Sequence, residues 1–357
     1  MVLNGRGERA RCSPRKGVPR RVWLSPGCAS AALVKFGVFP TPVRELRGVA
    51  GGATRLWIKH DDRTSPLYGG NKMRKAERLL EDARARGAKE IITVGAVGSN
   101  HVLTMGVFAK PIGIRVAAVV VAQPETEHVL QNLRADLAQG IELIPAASYA
   151  HAAAIVAWRR LRGAYYVPAG GSNAIGAAGF VAAVRELAAQ VAAGELPEPD
   201  VIVVPLGSGG TAAGLVAGLA LERMSTRVLA VTVAEPPWLV ERNARTLAKR
   251  CAGKPTPDRL LERLEHDRSY LGKGYGHATA QSVQALEQGK QLGLTLEHTY
   301  TAKAFAAALD LVRRGTARNV LFWQTLSSAP MAPLLEGAPP EAAIDPRLKR
   351  LARPAEP

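Results

Sequence analysis

Eight short runs rich in Val and Ile set the fold class: RLWIKH from Arg55, EIITVG from Glu90, IRVAAVVVA from Ile114, IELI from Ile141, AYYVP from Ala164, VIVVPL from Val201, VLAVTVA from Val228 and NVLFWQ from Asn319. Ala-rich stretches of helical spacing separate them. Short, nearly continuous apolar runs suit strands buried on both faces, and parallel strands of that kind need crossover helices to join them and cover the sheet. The alternation predicts an α/β fold with parallel sheets flanked by helices. One helix is predicted over 73–86, where Met73, Ala76, Leu79, Leu80 and Ala83 share a face.

With 357 residues, 47 % of them hydrophobic and 22 % charged, the chain has volume for two lobes. Arg, Glu, Gly or Pro interrupts every apolar stretch before the roughly 20 residues that span a bilayer, so no membrane association is expected. Cys12, Cys28 and Cys251 lie far apart. That spacing offers neither a zinc site nor a disulfide framework and points to a reducing compartment, the cytoplasm, with no metal. The net charge of +17 could suit a nucleic-acid binder. Yet Arg and Lys interleave with Glu and Asp along most helical faces, and no nucleic-acid-binding motif is present. Eight Lys or Arg against one Glu before Phe36 place +7 of the excess in one segment. Residues 1–36 read as a basic, disordered arm. The pair Arg20 and Arg21 is a weak export signal that lacks the apolar run export needs. Scattered prolines make 336–357 a loose tail.

Ligands of open parallel sheets sit beyond the carboxyl ends of strands, and three loops there hold small residues: VGSNH from Val97, PAGGSNAIG from Pro168 and PLGSGGTAAG from Pro205. In the last, Gly207, Ser208, Gly209, Gly210 and Thr211 would aim backbone N–H groups and two hydroxyls into one concavity at a helix N-terminus, an arrangement that attracts phosphate. A tight strand-to-helix turn is the plainer alternative. Gly207, Gly209 and Ala212 also fit a relaxed dinucleotide fingerprint with Glu235 ending the next strand, although Glu235 falls later than the usual position and two prolines follow it. A P-loop is excluded because Gly-Lys-Ser/Thr is missing. The stretch LYGGNKMRKAERLL places Lys72 behind a Gly-Gly-Asn turn at the mouth of a helix. A phosphate-bearing cofactor that needs a nucleophilic lysine is pyridoxal phosphate, and burial with neighbouring cations would free that amine. A helix-start surface lysine is the alternative.

The motifs FPTPVRELR, RLWIKHDDRTSPLYGGNKMRKAERLLEDARARGAKEIITVGAVGSNHV, PAGGSNAIGAAGF, GSGGTAAGL and YTAKAFAAALDLV, in this order over about 39–328, resemble the D-cysteine desulfhydrase and aminocyclopropanecarboxylate deaminase family. These are fold type II, tryptophan synthase β-like, pyridoxal-phosphate enzymes. The resemblance implies two lobes: a large cofactor lobe of 37–86 with 178–335, and a small lobe of 87–177. It implies that Lys72 holds the cofactor as a Schiff base, that Asn100 bonds its phenolic oxygen, and that 207–211 hold its phosphate. Thr325 would face the pyridine nitrogen. Ser99, Asn100 and His101 would face a small amino-acid substrate, and Tyr275 and Tyr300 would serve proton transfer. A homodimer is also implied. Without the resemblance, Ser99 and Asn100 read equally well as a helix cap, and His101 as a satisfied core histidine.

The chain departs from the pattern at several positions. The deaminase branch has an acid where Thr301 stands, so a milder electron sink and an α,β-elimination to a 2-oxo acid and ammonia are expected, with D-cysteine one candidate substrate. Leu103 replaces an arginine, and Gln324, Leu326 and Ser327 alter a His-Thr-Gly-Gly ending. These changes are expected to alter volume and charge near the site. Ring opening, racemisation, β-replacement, a non-catalytic cofactor-binding protein and a nicotinamide-dependent oxidoreductase remain alternatives.

Overall fold

The computed structural model of the chain describes residues 35–49 and 53–353. The expected basic arm lies almost wholly outside them. All eight predicted strands are present: β2 (Arg55–Lys59), β3 (Glu90–Ala96), β4 (Arg115–Val121), β6 (Glu142–Pro145), β7 (Tyr165–Val167), β8 (Val201–Leu206), β9 (Arg227–Thr232) and β11 (Asn319–Trp323). Four others, β1 (Val43–Glu45), β5 (Gln123–Pro124), β10 (Leu264–Asp267) and β12 (Ala352–Arg353), have too few apolar residues to announce themselves. The principal helices are α1 (Asn71–Ala85), α2 (Asn100–Ala109), α3 (Glu127–Ala138), α4 (Tyr149–Leu161), α5 (Ala174–Ala192), α6 (Gly210–Leu221), α7 (Pro237–Ala252), α8 (Ala280–Gln291) and α9 (Thr301–Arg314), followed by the short α10 (Pro346–Lys349).

The larger sheet runs β1-β2-β11-β8-β9-β10, parallel except for the edge strand β1, and the smaller runs β6-β4-β3-β7, all parallel. We propose these sheets as the cores of the large and small lobes. β8 is buried at every residue because α5, α6 and α7 cover one face of its sheet, while α8 and α9 cover the other. α5 is long and apolar enough to cross a bilayer, but it buries Ala177, Phe180, Ala183, Val184 and Leu187 against the sheet, as a core helix does. The helix α1, predicted from 73, starts at Asn71, and its apolar face from Met73 joins a core cluster with residues of α2, α3 and the small sheet.

Beneath α1 lies a buried ionic network. Arg74 makes two bonds to Asp61 (Nε–Oδ2 2.8 Å, Nη2–Oδ1 2.7 Å) and two to Glu186 (Nη1–Oε2 2.9 Å, Nη2–Oε1 3.0 Å); Lys59 also binds Glu186, and the Trp323 indole donates to Asp61 (2.7 Å). Burial pushes Glu186 up, but the hydrogen bonds and charges of Arg74 and Lys59 overcome it and hold the carboxyl at about 2. The network ties the start of α1 to β2, α5 and β11.

The expectation of a loose tail over 336–357 is corrected as far as 353, the rest lying outside the described residues. Ile344 and Leu348 are buried in the core beside the small sheet, and β12 lies parallel to β5. Prolines end helices, but they do not prevent the apolar residues between them from packing.

Candidate active site

The carboxyl ends of the two sheets face a cavity of about 430 Å³, a size suited to a small cofactor with its substrate. The Gly-Gly-Asn turn explains the position of Lys72. A Cβ at Gly69 would meet the Asp62 carbonyl at 2.1 Å, and one at Gly70, whose φ is +92°, would meet the Thr325 carbonyl at 2.7 Å. Only glycines let this turn press against both backbones. Asn71 N–H then donates to Thr325 O (3.0 Å), and α1 begins with Lys72 facing the cavity.

Lys72 opens to the cavity but is ringed by protein, and Nζ donates to Asn71 Oδ1 (3.1 Å). Desolvation lowers its amine to about 8, against the opposing attraction of Glu297. Nζ lies 5.8 Å from the centre of the Tyr300 ring, whose hydroxyl is 2.5 Å from that of Tyr275. Burial raises both phenols, Tyr275 to about 12 although the hydrogen bond with Tyr300 opposes the rise. Both are protonated at neutral pH. The loop before Tyr275 is clamped by buried Lys303, which donates to the carbonyls of Leu271 (2.8 Å) and Gly274 (3.2 Å).

Gly207, Ser208, Gly209 and Thr211 line the cavity at the start of α6, with Gly209 at φ +91°; Gly210 is buried just behind. Lys75 in the cavity wall and Ser172 just behind it complete this end; the sequence offers Lys75 only as a cation beside Lys72 and Ser172 only as part of the loop from Pro168. Ser172 Oγ accepts from Gly210 N (3.1 Å) and lies 2.7 Å from Ser208 Oγ. Lys75 Nζ donates to Gly170 O (3.1 Å) and lies 3.4 Å from Ser172 Oγ. Desolvation lowers Lys75, and repulsion from Lys72 adds to it. Asn71 Nδ2 donates to Thr211 Oγ1 (3.0 Å), joining the lysine turn to this loop. Backbone donors, hydroxyls and the Lys75 amine at one end, with the Lys72 amine toward the other, fit a phosphorylated aldehyde. The glycine loop therefore suits pyridoxal phosphate better than a dinucleotide.

Ser99 caps α2 by accepting from His101 N (3.2 Å), so the capping reading of this turn is realised within the cavity wall. His101 Nε2 lies 2.9 Å from Thr93 Oγ1. Burial, with Lys72 and Lys75 nearby, lowers the ring to about 3 and keeps it neutral. Asn100 and Thr325 also line the cavity. Leu103 does not: it is buried in the core, so the replaced arginine leaves no gap in the cavity's charge. Leu326 does line the cavity, while the Ser327 hydroxyl accepts from Gly69 N (2.9 Å) and so holds the glycine turn.

Thr301 lines the cavity, and so does an acid that the sequence reading did not single out. This is Glu297, its carboxylate accepting from the backbone of Thr299 (2.7 Å), Tyr300 and Thr301 (2.9 Å each). An acid four residues before Thr301 thus caps α9, where the helix N-terminus favours negative charge. Its proximity to Thr301 in sequence was the available signal.

Residues 34–322 match the family model described as pyridoxal-phosphate dependent enzyme. The crystal structure of an ACC deaminase homologue superposes with a TM-score of 0.70 at 31 % identity, covering 85 % of this chain and 95 % of the other. Nocardicin C-9′ epimerase of Nocardia uniformis subsp. tsuyamanensis is 33 % identical over 317 residues, 85 % of this chain and 94 % of its own. D-cysteine desulfhydrase of Yersinia pestis is 32 % identical over 284 residues, 76 % and 85 % of the two chains. The amine behind its glycine turn, the phosphate-shaped loop opposite and these likenesses together place the chain in the family of fold type II pyridoxal-phosphate-dependent enzymes.

Proposed function

We propose that the protein is a lyase or deaminase that removes the α-proton of a small amino acid and expels its β-substituent, in the manner of D-cysteine desulfhydrase. One observation carries the reading: a single cavity holds a desolvated amine, Lys72, beside a protonated phenol pair, Tyr275 and Tyr300. Bound pyridoxal phosphate would supply an imine linkage to the substrate amine and a conjugated ring that spreads negative charge from Cα. Lys72 would hold it, the loop 207–211 with Lys75 and Ser172 would bind its phosphate, Asn100 its phenolic oxygen, and Thr325 its ring nitrogen.

Lys72, freed when the substrate amine takes its place, would take the α-proton. The bond from Cβ to its substituent would break as Tyr300, relayed by Tyr275, protonates the leaving thiol or similar group, and the phenol would regain its proton from the Lys72 ammonium. Once Lys72 again holds the cofactor, the released enamine would be hydrolysed by water to a 2-oxo acid and ammonia. Ser99 and Asn100, at the N-terminus of α2, bind the substrate carboxylate, with neutral His101 as the wall behind them. The family resemblance also supports a homodimer and a cytoplasmic location.

Epimerisation at Cα is a second reading, favoured by the phenols beside the lysine, which supply a second proton carrier, and by the likeness to an epimerase. Borohydride reduction of the purified protein should fix the cofactor on Lys72, and Lys72→Ala should abolish the adduct. A screen of D-cysteine and other small amino acids should then release a 2-oxo acid. Loss of optical activity with deuterium uptake from solvent, and no 2-oxo acid, selects epimerisation. A protein that takes up no pyridoxal phosphate sinks both.

A further inference from the structure

The mechanism leaves unused an acid on α3. Asp136 is fully buried, and neither of its oxygens has a hydrogen-bonding partner among the described residues. Asn132, one turn earlier, is buried as completely. Its Nδ2 donates to Gly98 O (2.9 Å) and Asn100 Oδ1 (2.9 Å), but its Oδ1 also has no partner. Residues four apart on a helix share a face, and the later side chain tilts toward the earlier. Successive turns of α3 therefore bury three acceptor atoms with no donor among the described residues. A carboxylate here would be an unpaired buried charge, which is costly. A carboxylic acid supplies one O–H and removes both faults. Burial raises Asp136 well above the usual carboxyl range, consistent with this.

The cluster leads to the cavity. Asn100 Oδ1 accepts from Tyr68 Oη (2.8 Å) as well as from Asn132, and lies 2.8 Å from His128 Nε2. Burial raises Tyr68 and lowers His128, so both favour their neutral forms. With its oxygen surrounded in this way, the Asn100 amide is fixed, and its Nδ2 is left to serve the cavity.

We propose that Asp136 is a positioning residue that carries a proton at neutral pH and donates it in a hydrogen bond to Asn132, so that the chain Asp136–Asn132–Asn100 orients and strengthens the Asn100 N–H donor. Hydrogen bonds in series polarise one another, so a donor at the far end sharpens the near one. The proton on Asp136 stands on the geometry of α3 alone; its effect on the cofactor rests on the role proposed above for Asn100.

Infrared difference spectroscopy of the cofactor-free protein tests the first link. The wild type should show the carbonyl stretch of a protonated buried carboxyl at neutral pH, and Asp136→Asn should lose it. Absence of any such difference overturns the proton. The visible absorption of the loaded protein, followed against pH, tests the second. Asp136→Asn, which keeps a neutral donor, should titrate like the wild type. Asp136→Leu should still bind cofactor but shift its midpoint to higher pH, because a weaker Asn100 donor leaves more negative charge on the phenolic oxygen and holds the neighbouring proton longer. If the leucine variant does not fold, Asn132→Ala breaks the same chain and should give the same shift. An unmoved midpoint in a folded, loaded variant overturns the link to Asn100 while leaving the proton standing.

Discussion

The amine of Lys72, lowered from 10.5 to about 8, should set the pH dependence of cofactor capture. At pH 7 a lysine titrating near 8 has about 300 times more free amine than one at 10.5. Mixing cofactor-free protein with pyridoxal phosphate in a stopped-flow instrument, and following the visible band across the neutral and alkaline range, should show a rate that rises tenfold per pH unit and levels near pH 8. A rate still climbing past pH 10 would refute the reasoning, since it would mean that cavity water solvates the ammonium as bulk water does. The same shift has a stability counterpart. The folded state holds the proton less tightly than the unfolded chain, so the cost of the buried ammonium is full below pH 8 and disappears as pH rises to 10.5. A displacement of 2.5 units corresponds to at most about 3 kcal/mol, an upper figure because the cavity admits water. Lys72→Met should therefore stabilise the unloaded protein at pH 7 in urea unfolding, and the gain should vanish above pH 10.5.

Two further outcomes follow from packing. Gly210→Ala would place a methyl group 2.5 Å from Ser172 Oγ and 2.9 Å from Lys75 Nζ, so pyridoxal phosphate affinity should fall at least tenfold, about 1.4 kcal/mol, in a fluorescence titration. Arg74→Met leaves Asp61 and Glu186 buried without their main cation and should cost about 3 to 5 kcal/mol in denaturant unfolding at pH 7. Because the folded Glu186 titrates at about 2 rather than 4.5, its share of that cost is present above pH 4.5 and disappears as pH falls through 2.

The features readable from sequence were those whose signal is local. Each of the eight apolar runs carries its own pattern, and the glycine turn with Lys72 and the loop 207–211 are each complete within a few residues. The remaining features acquire meaning only through folding. Lys75 meets Ser172 across 97 positions, although Lys75 stands one turn after Lys72 and Ser172 sits in a Gly-Gly-Ser-Asn loop, both usable signals. β10, with the sequence LEHD, has no strand pattern of its own and forms because β9 offers it an edge. Leu103 was misjudged for a geometric reason: on a helix, two residues after His101, it points away from the cavity and into the core.

The larger sheet also dictates an order of assembly. β2 pairs with β11, Arg55 opposite Asn319, across most of the chain, whereas the smaller sheet is drawn entirely from the stretch between 90 and 167. Contacts between distant segments carry a loop-closure cost that nearby ones avoid, so the smaller sheet can form early while the larger waits for both ends of the chain. The Asn71 turn depends on that late event, since its backbone is held by the Thr325 carbonyl just beyond β11. On that order the cofactor has no finished site until the longest loop has closed, and its visible band would serve as a clock for the last step of folding.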